Sequence, residues 1–372
     1  MSWSPQQEAA IKAARKWLLT KGSPQVFRIF GFAGTGKTTL AKEIAGGVNG
    51  DVLFGAFTGK ASLVLRKKGC TGASTIHRMI YKPIEDAHGR TVFKLNPDSA
   101  VTMAKLVIID EVSMVDEILG QDLLSYGTKV LVLGDPGQLR PVRGEGYFIN
   151  TAPDVMLTEV HRQAAENPII RLSMDVREGR PLKPGRYGDS QVLLRSQVDK
   201  EYMRELVLGA DQLLCGINTT RQTFNARMRQ LRGLQGLSAD YLPRQGDRLV
   251  CLKNNHDKGL LNGGLWEVIK ARDNGVHQMA MVVRSIDSEE LPDTDVTVPF
   301  QFFNGTEKEM DWRELKRVDQ FTYGNALTVH KSQGSQWERG VLFDESYIFR
   351  DERKHHLYTG LTRFAESVTV VV

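Results

Sequence analysis

Residues 31–39 read Gly31-Phe32-Ala33-Gly34-Thr35-Gly36-Lys37-Thr38-Thr39, the full G-x-x-x-x-G-K-[ST] spacing of a phosphate-binding loop. The apolar run Val26-Phe27-Arg28-Ile29-Phe30 before it has strand character, and residues 38–45 after it read as helix. The chemistry needs that order. Glycines let backbone N–H groups turn inward around a polyphosphate, and the helix N-terminus adds partial positive charge. In such a loop the backbone around Gly34, Thr35, Gly36 and Thr39 cradles the phosphates of ATP. Lys37 reaches the β- and γ-phosphates, and the Thr38 hydroxyl holds Mg²⁺. A glycine-rich turn without function shares the spacing but not the strand and helix on either side.

Outward from the loop, short apolar strands at 52–57, 106–109 and 130–133 alternate with helical stretches, one of them ending at Gly69, a natural helix cap. This alternation predicts a parallel sheet covered by helices. It breaks twice. Residues 81–98 hold a turn, Asp86-Ala87-His88-Gly89, between two short extended arms. Residues 246–319 hold four short strands separated by turns such as Asn262-Gly263-Gly264, which suggests a small β-barrel. The predicted organisation is a first α/β core over 1–80 and 99–153 with a β-hairpin at 81–98. A second core follows over 154–245 and 320–372, with the barrel at 246–319 inserted in it.

Two further motifs carry chemistry. The strand Ile108-Ile109 ends in Asp110-Glu111. With a phosphate loop upstream, Asp110 suits a Mg²⁺ ligand and Glu111 a base for the attacking water. Two acids at a strand end also serve as a plain surface turn; the upstream loop selects the metal reading. After the next strand, Gly134-Asp135-Pro136-Gly137-Gln138 puts Gln138 where a side chain can sense a γ-phosphate.

Bulk properties are those of a globular chain: 372 residues, 41% hydrophobic, 25% charged, net charge +5. A pI near 9.0 is compatible with a polyanionic partner. Cys70, Cys215 and Cys251 lack metal-ligand spacing and read as reduced thiols of a cytoplasm, bacterial or of a phage-infected host. No apolar run approaches the ~18 residues of a membrane span, and the N-terminus has no apolar signal stretch.

The order of motifs resembles the superfamily 1 helicases. It runs from the loop through Asp110-Glu111, Gly134-Asp135-x-x-Gln138 and Val329-His330-Lys331-Ser332-Gln333-Gly334 to Tyr358-Thr359-Gly360-Leu361-Thr362-Arg363. The likeness is greatest to the 5′→3′ RecD-like and phage Dda-like DNA helicases of superfamily 1B. Phe57-Thr58-Gly59-Lys60-Ala61, Ser74-Thr75-Ile76-His77, Leu157-Thr158-Glu159-Val160-His161-Arg162, Ser4-Pro5-Gln6-Gln7 and Leu261-Asn262-Gly263 agree with that branch. The resemblance implies two RecA-like cores, a hairpin pin and an SH3-like barrel. It implies Gln7 on adenine, Gly334 at the nucleotide, and Arg162 and Arg363 as arginine fingers. It also implies Thr58, Lys60, Thr75, His77, Phe93, Arg140, Asn262, Thr328, His330 and Lys331 on DNA. The implied partners are single-stranded and fork DNA, with a single-stranded DNA-binding or replication and recombination protein beside a monomeric enzyme. Gln336 departs from the pattern, standing where several relatives have a glutamate on the nucleotide sugar. An RNA-directed helicase, or a nucleotide-gated DNA clamp or translocase that does not unwind, shares most of these motifs.

Overall fold

The computed structural model describes residues 3–85, 91–140, 146–160, 166–234 and 241–372. The chain divides into two compact units, Met1–Pro181 and Leu182–Val372.

The first unit is built on strands β1 (Val26–Gly31), β2 (Val52–Ala56), β3 (Ser74–Thr75), β4 (Tyr81–Glu85), β5 (Thr91–Leu95), β6 (Leu106–Asp110), β7 (Val130–Gly134) and β8 (Val155–Leu157). Six of these form one sheet in the order β3-β2-β6-β7-β1-β8, and its pairings are parallel. Successive side chains of a strand point to opposite faces, so a continuous apolar run feeds two cores. Leu106 and Ile108, with Leu131 and Leu133, pack against Ala10, Ile11, Ala14 and Trp17 of the helix Pro5–Leu19 and Leu40, Ala41 and Ile44 of the helix Lys37–Gly46. Their neighbours Val107, Ile109, Val130 and Val132 face the other way, onto Ile76, Ile80, Leu119, Leu123 and Phe148. The sheet is thereby an α/β layer covered on both faces.

β4 and β5 pair antiparallel with Phe93 opposite Pro83. The turn expected at 86–89 lies outside the described residues.

In the second unit the strands are β9 (Gly185–Tyr187), β10 (Ser190–Leu193), β11 (Gln212–Cys215), β12 (Arg248–Cys251), β13 (Leu265–Asp273), β14 (Gln278–Ser285), β15 (Thr294–Pro299), β16 (Phe321–Tyr323), β17 (Ala326–Thr328), β18 (Trp337–Phe343) and β19 (Phe364–Val371). One sheet runs β17-β11-β18-β19-β10-β9, parallel except for β9 against β10. The other, β15-β14-β13-β12-β16, is antiparallel. It closes on its own apolar cluster around Trp266, Val268, Met281, Val283 and Phe321.

Two boundaries differ from the sequence reading. The first core does not stop at 153. β8 adds to the edge of its sheet, pairing Ile29 with Val155 and Gly31 with Leu157, and Leu157 is buried in its core. The insert does not stop at 319 either, because Phe321–Tyr323 pairs with β12 as the fifth antiparallel strand. In both cases a three-residue strand is claimed by a partner distant in sequence, which local pattern does not reveal.

β18 tolerates no side chain at Gly340. A Cβ there would lie 1.9 Å from Cε1 of Phe364, whose ring is buried on the neighbouring strand. Gly340→Ala is expected to lose about 1–3 kcal/mol, as overpacked cores do. The denaturant midpoint measures this, and an unshifted midpoint would mean the ring moves at no cost.

Candidate active site and nucleic-acid interface

β1 ends at Gly31 and the helix Lys37–Gly46 begins six residues later, with the loop between them. Gly34 and Gly36 hold φ of 79° and 78°, left-handed values that cost other residues roughly 1–2 kcal/mol. Thr35 is buried, and its hydroxyl donates to the Phe32 carbonyl at 2.9 Å. The Lys37 ammonium donates to the carbonyls of Gly31 at 2.7 Å and Phe32 at 3.0 Å, and lies 3.9 Å from Asp135 Oδ2.

The loop is held from behind by Gln7. This side chain is buried and donates through Nε2 to the Thr35 carbonyl at 3.0 Å, while Oε1 accepts from the Ser4 amide at 3.1 Å in a capping box. Gln7 thus braces the loop. The adjacent Gln6 latches Thr158 and Glu159, accepting from both amides at 2.9 and 3.0 Å.

β6 delivers the acids. Asp110 Oδ2 accepts from the Thr38 hydroxyl at 3.0 Å, and Oδ1 accepts from the Glu111 amide at 2.8 Å. Burial first, and then the neighbouring Glu111, push the Asp110 carboxyl above its usual range. A hydroxyl and a carboxylate side by side are hard oxygen donors, few in number. That suits Mg²⁺, which takes one or two protein ligands with phosphates and waters. Among the described residues no cluster of three or more His, Cys, Asp or Glu forms a closed metal cage. Glu111 sits at φ 56°, ψ 44°, a left-handed conformation rare for a side chain of this size. Gln138 and Asp135, both buried, follow β7, with Asp135 accepting from the Gly137 amide at 2.9 Å. Asp135 is a site residue that sequence reasoning quoted without assigning. Its burial beside Lys37 was not readable from a turn motif.

Other expected residues of this unit fall in three groups. Thr58 and Thr75 are helix N-caps, their hydroxyl oxygens accepting from the amides of Ala61 at 3.1 Å and Arg78 at 3.2 Å. His77, Phe93 and Arg140 are exposed, and the His77 ring lies 4.7 Å from that of Phe93, edge on. Lys60 is 5% exposed, which corrects its reading as a surface phosphate contact. It sits in the first turn of the helix Gly59–Lys67, where Gly59, Ala61 and Ser62 are buried with it. Arg162 lies outside the described residues.

In the second unit, Lys331 donates to Asn262 Oδ1 at 3.4 Å, and its own amide donates to the Thr328 hydroxyl at 3.3 Å. The His330 ring lies tilted against those of Phe349 and His356, with centroids 5.3 and 5.7 Å away. Burial holds His330 below its ordinary pKa, and pushes His356 down to about 3 with help from His330. Burial therefore disfavours the charged form of His330. Arg363 is buried and donates to the Thr359 and Ser335 carbonyls at 3.2 and 3.3 Å, one residue from Gly334, which has a φ of 74°. The three cysteines are buried and free, and burial raises their pKa, Cys215 and Cys251 to about 12.

A family model described as an AAA domain matches residues 2–194, and one described as a UvrD-like helicase C-terminal domain matches residues 323–371. The ATP-dependent RecD2 DNA helicase of Deinococcus radiodurans is 30% identical over 364 residues, covering 90% of this chain and 45% of that protein. The ATP-dependent DNA helicase dda of Enterobacteria phage T4 is 33% identical over 169 residues, 41% of this chain and 38% of that protein. The crystal structure of Bacteroides Pif1 bound to ssDNA matches in fold with a TM-score of 0.57 at 18% identity, over 99% of this chain and 92% of that one. The chain belongs to the family whose model is described as an AAA domain, and it is similar in sequence to the RecD2 and dda proteins. It spans less than half the length of the RecD2 and dda proteins.

The left-handed backbone at Glu111 inverts the usual order of two substitutions. Alanine there retains the strain and glycine does not, while glycine loses about 0.4–1 kcal/mol through the unfolded chain. Glu111→Gly is expected to be as stable as Glu111→Ala, or up to about 1 kcal/mol more stable. Urea midpoints of the two variants check this, and a clearly more stable alanine variant would contradict it.

Proposed function

We propose that this chain hydrolyses ATP to move 5′→3′ along single-stranded DNA and to separate duplex at a fork. The observation that carries the reading is the convergence of Lys37, Thr38, Asp110 and Asp135 at one end of a parallel sheet, in a chain whose named relatives are DNA helicases. Mg²⁺ held by Thr38 and Asp110 would neutralise the phosphates. Lys37 exchanges the Gly31 and Phe32 carbonyls for β- and γ-phosphate oxygens. Glu111 takes a proton from the attacking water, and Gln138 orients the γ-phosphate. Arg363 and Arg162 offset charge that develops in the transition state. Gln7 and Gly334 complete the nucleotide site, Gln7 holding the loop that meets it.

On the DNA side, Thr58 and Thr75 accept cap hydrogen bonds through oxygen, Thr328 accepts from the Lys331 amide, and all three retain O–H protons for phosphates. Arg140 and Lys331 supply charge; Asn262 supplies an amide donor, and His77 and His330 supply ring N–H groups. Such contacts hold a strand without reading its bases. The β4–β5 hairpin acts as the separation pin, and the antiparallel sheet of the second unit is the SH3-like insert. Phe93 is 57% exposed at the hairpin, which favours a stacking role over core packing.

ATP turnover should rise with added single-stranded DNA. Lys37→Ala should remove most of it, and Glu111→Gln should bind ATP without hydrolysing it. A steady-state ATPase assay reads all three, and equal turnover with and without DNA would sink the coupling.

Duplexes with a 5′ tail should be opened and those with only a 3′ tail should not. Phe93→Ala should cut strand separation while leaving DNA-stimulated ATPase and the melting temperature close to wild type. Stacking is worth about 1–3 kcal/mol per base, against about 1.4 kcal/mol for a DNA base-pair step. Intact unwinding in a stable Phe93→Ala protein removes the ring from the mechanism. DNA-stimulated hydrolysis with no strand separation in the wild type would favour a clamp or translocase.

A further inference from the structure

The second unit holds a cavity of about 680 Å³, within the range of small-ligand sites. It lies against the helix Asn218–Leu231, the antiparallel sheet and the short helix Gln301–Asn304. Its floor is aromatic, with Phe302, Phe303 and Tyr323 buried, and Tyr241 stands 41% exposed at its wall.

Arg221 and Lys331 are two of the three cations that line the same cavity. Among the described residues neither makes an ion pair. Arg221 donates to Asn218 Oδ1 at 3.2 Å and Lys331 to Asn262 Oδ1 at 3.4 Å, both neutral acceptors. Glu307 is the one carboxylate in the lining among the described residues, and its charge acts on Arg221 only at a distance. Arg229, the third cation, is neutralised by Asp247 at 2.8 Å. Burial lowers the pKa of both free cations, and Arg221 lowers that of Lys331 further. Just before the helix, Glu345 accepts from the amides of Gly216 and Ile217 at 2.7 and 3.2 Å. Two like charges over an aromatic floor match an anion joined to a flat apolar ring.

We propose that this pocket seats one nucleotide of a bound single strand, its phosphate between Arg221 and Lys331 and its base against Tyr241. The site rests on the reading of the chain as a single-strand translocase, and adds Arg221 and Tyr241 to it. Lys331, in the pocket lining, is hydrogen-bonded to Asn262 and, through its amide, to Thr328, two residues of the proposed strand contact.

Fluorescence anisotropy with a labelled thymidine oligonucleotide, and with an abasic one of equal length, tests this across a salt series. Arg221→Ala should weaken binding about five- to tenfold, with a salt slope shallower by about 0.7. Tyr241→Ala should weaken the thymidine oligonucleotide at least about fivefold and leave the abasic one unchanged. Melting temperature and ATPase without DNA should hold in both variants. Wild-type affinity and slope in both would overturn the pocket while leaving the translocase reading intact. A wild-type protein that binds no single strand overturns both. Thymidine monophosphate retained by Lys37→Ala and lost in Arg221→Ala, with oligonucleotide binding unaffected, would assign the pocket to free nucleotide and overturn the strand proposal.

Discussion

The 3.0 Å hydrogen bond from Thr38 to Asp110 ties the phosphate loop to the acids. Thr38 opens the helix that follows β1 and Asp110 ends β6, two strands that are not neighbours, because β7 runs between them. The bond can form only if all three strands are parallel and end at the same level. Asp135, at the end of the intervening β7, then falls beside Lys37. A buried carboxylate with Glu111 next to it is unfavourable unless positive charge is near, and Lys37 alone does not restore its ordinary pKa. The sheet thus concentrates negative charge where a cation and a polyphosphate complete it, and Gln7 locks the loop against that charge from the opposite side.

The parts of this arrangement that depend on backbone conformation were legible in the sequence. Gly34, Gly36 and the apolar runs of β1, β6 and β7 have few alternative readings. Asp110 and Glu111 were legible because a strand must end there. Residues whose role depends on which side of an element meets the core were not. Lys60 stands in a motif that suggests phosphate contact, yet its helix turns that position inward. His330 reads only as part of a motif until the tilted rings of Phe349 and His356 are seen beside it. Gln7 reads as a ligand contact, but an amide that satisfies a cap and a loop carbonyl at once is a brace first. β8 and β16, three residues each, carry too little pattern to be assigned without their partners.

The threonines show how one side chain can serve structure and a passing ligand together. Thr58 and Thr75 start their helices, so their hydroxyl oxygens are fixed by amide hydrogen bonds, and Thr328 is fixed in the same way by the Lys331 amide. A hydroxyl that accepts such a bond still donates, and its proton can swing to whatever acceptor arrives. Its position is set by helix geometry with little side-chain freedom left to lose. A long lysine in the same place would supply more charge but lose more rotamer entropy at each contact. For a surface that must grip and release a phosphate backbone repeatedly, short, pre-positioned, neutral donors give contacts of uniform and modest strength. On the proposed reading, Arg221 and Lys331, which make no ion pair among the described residues, then set how tightly a strand is held.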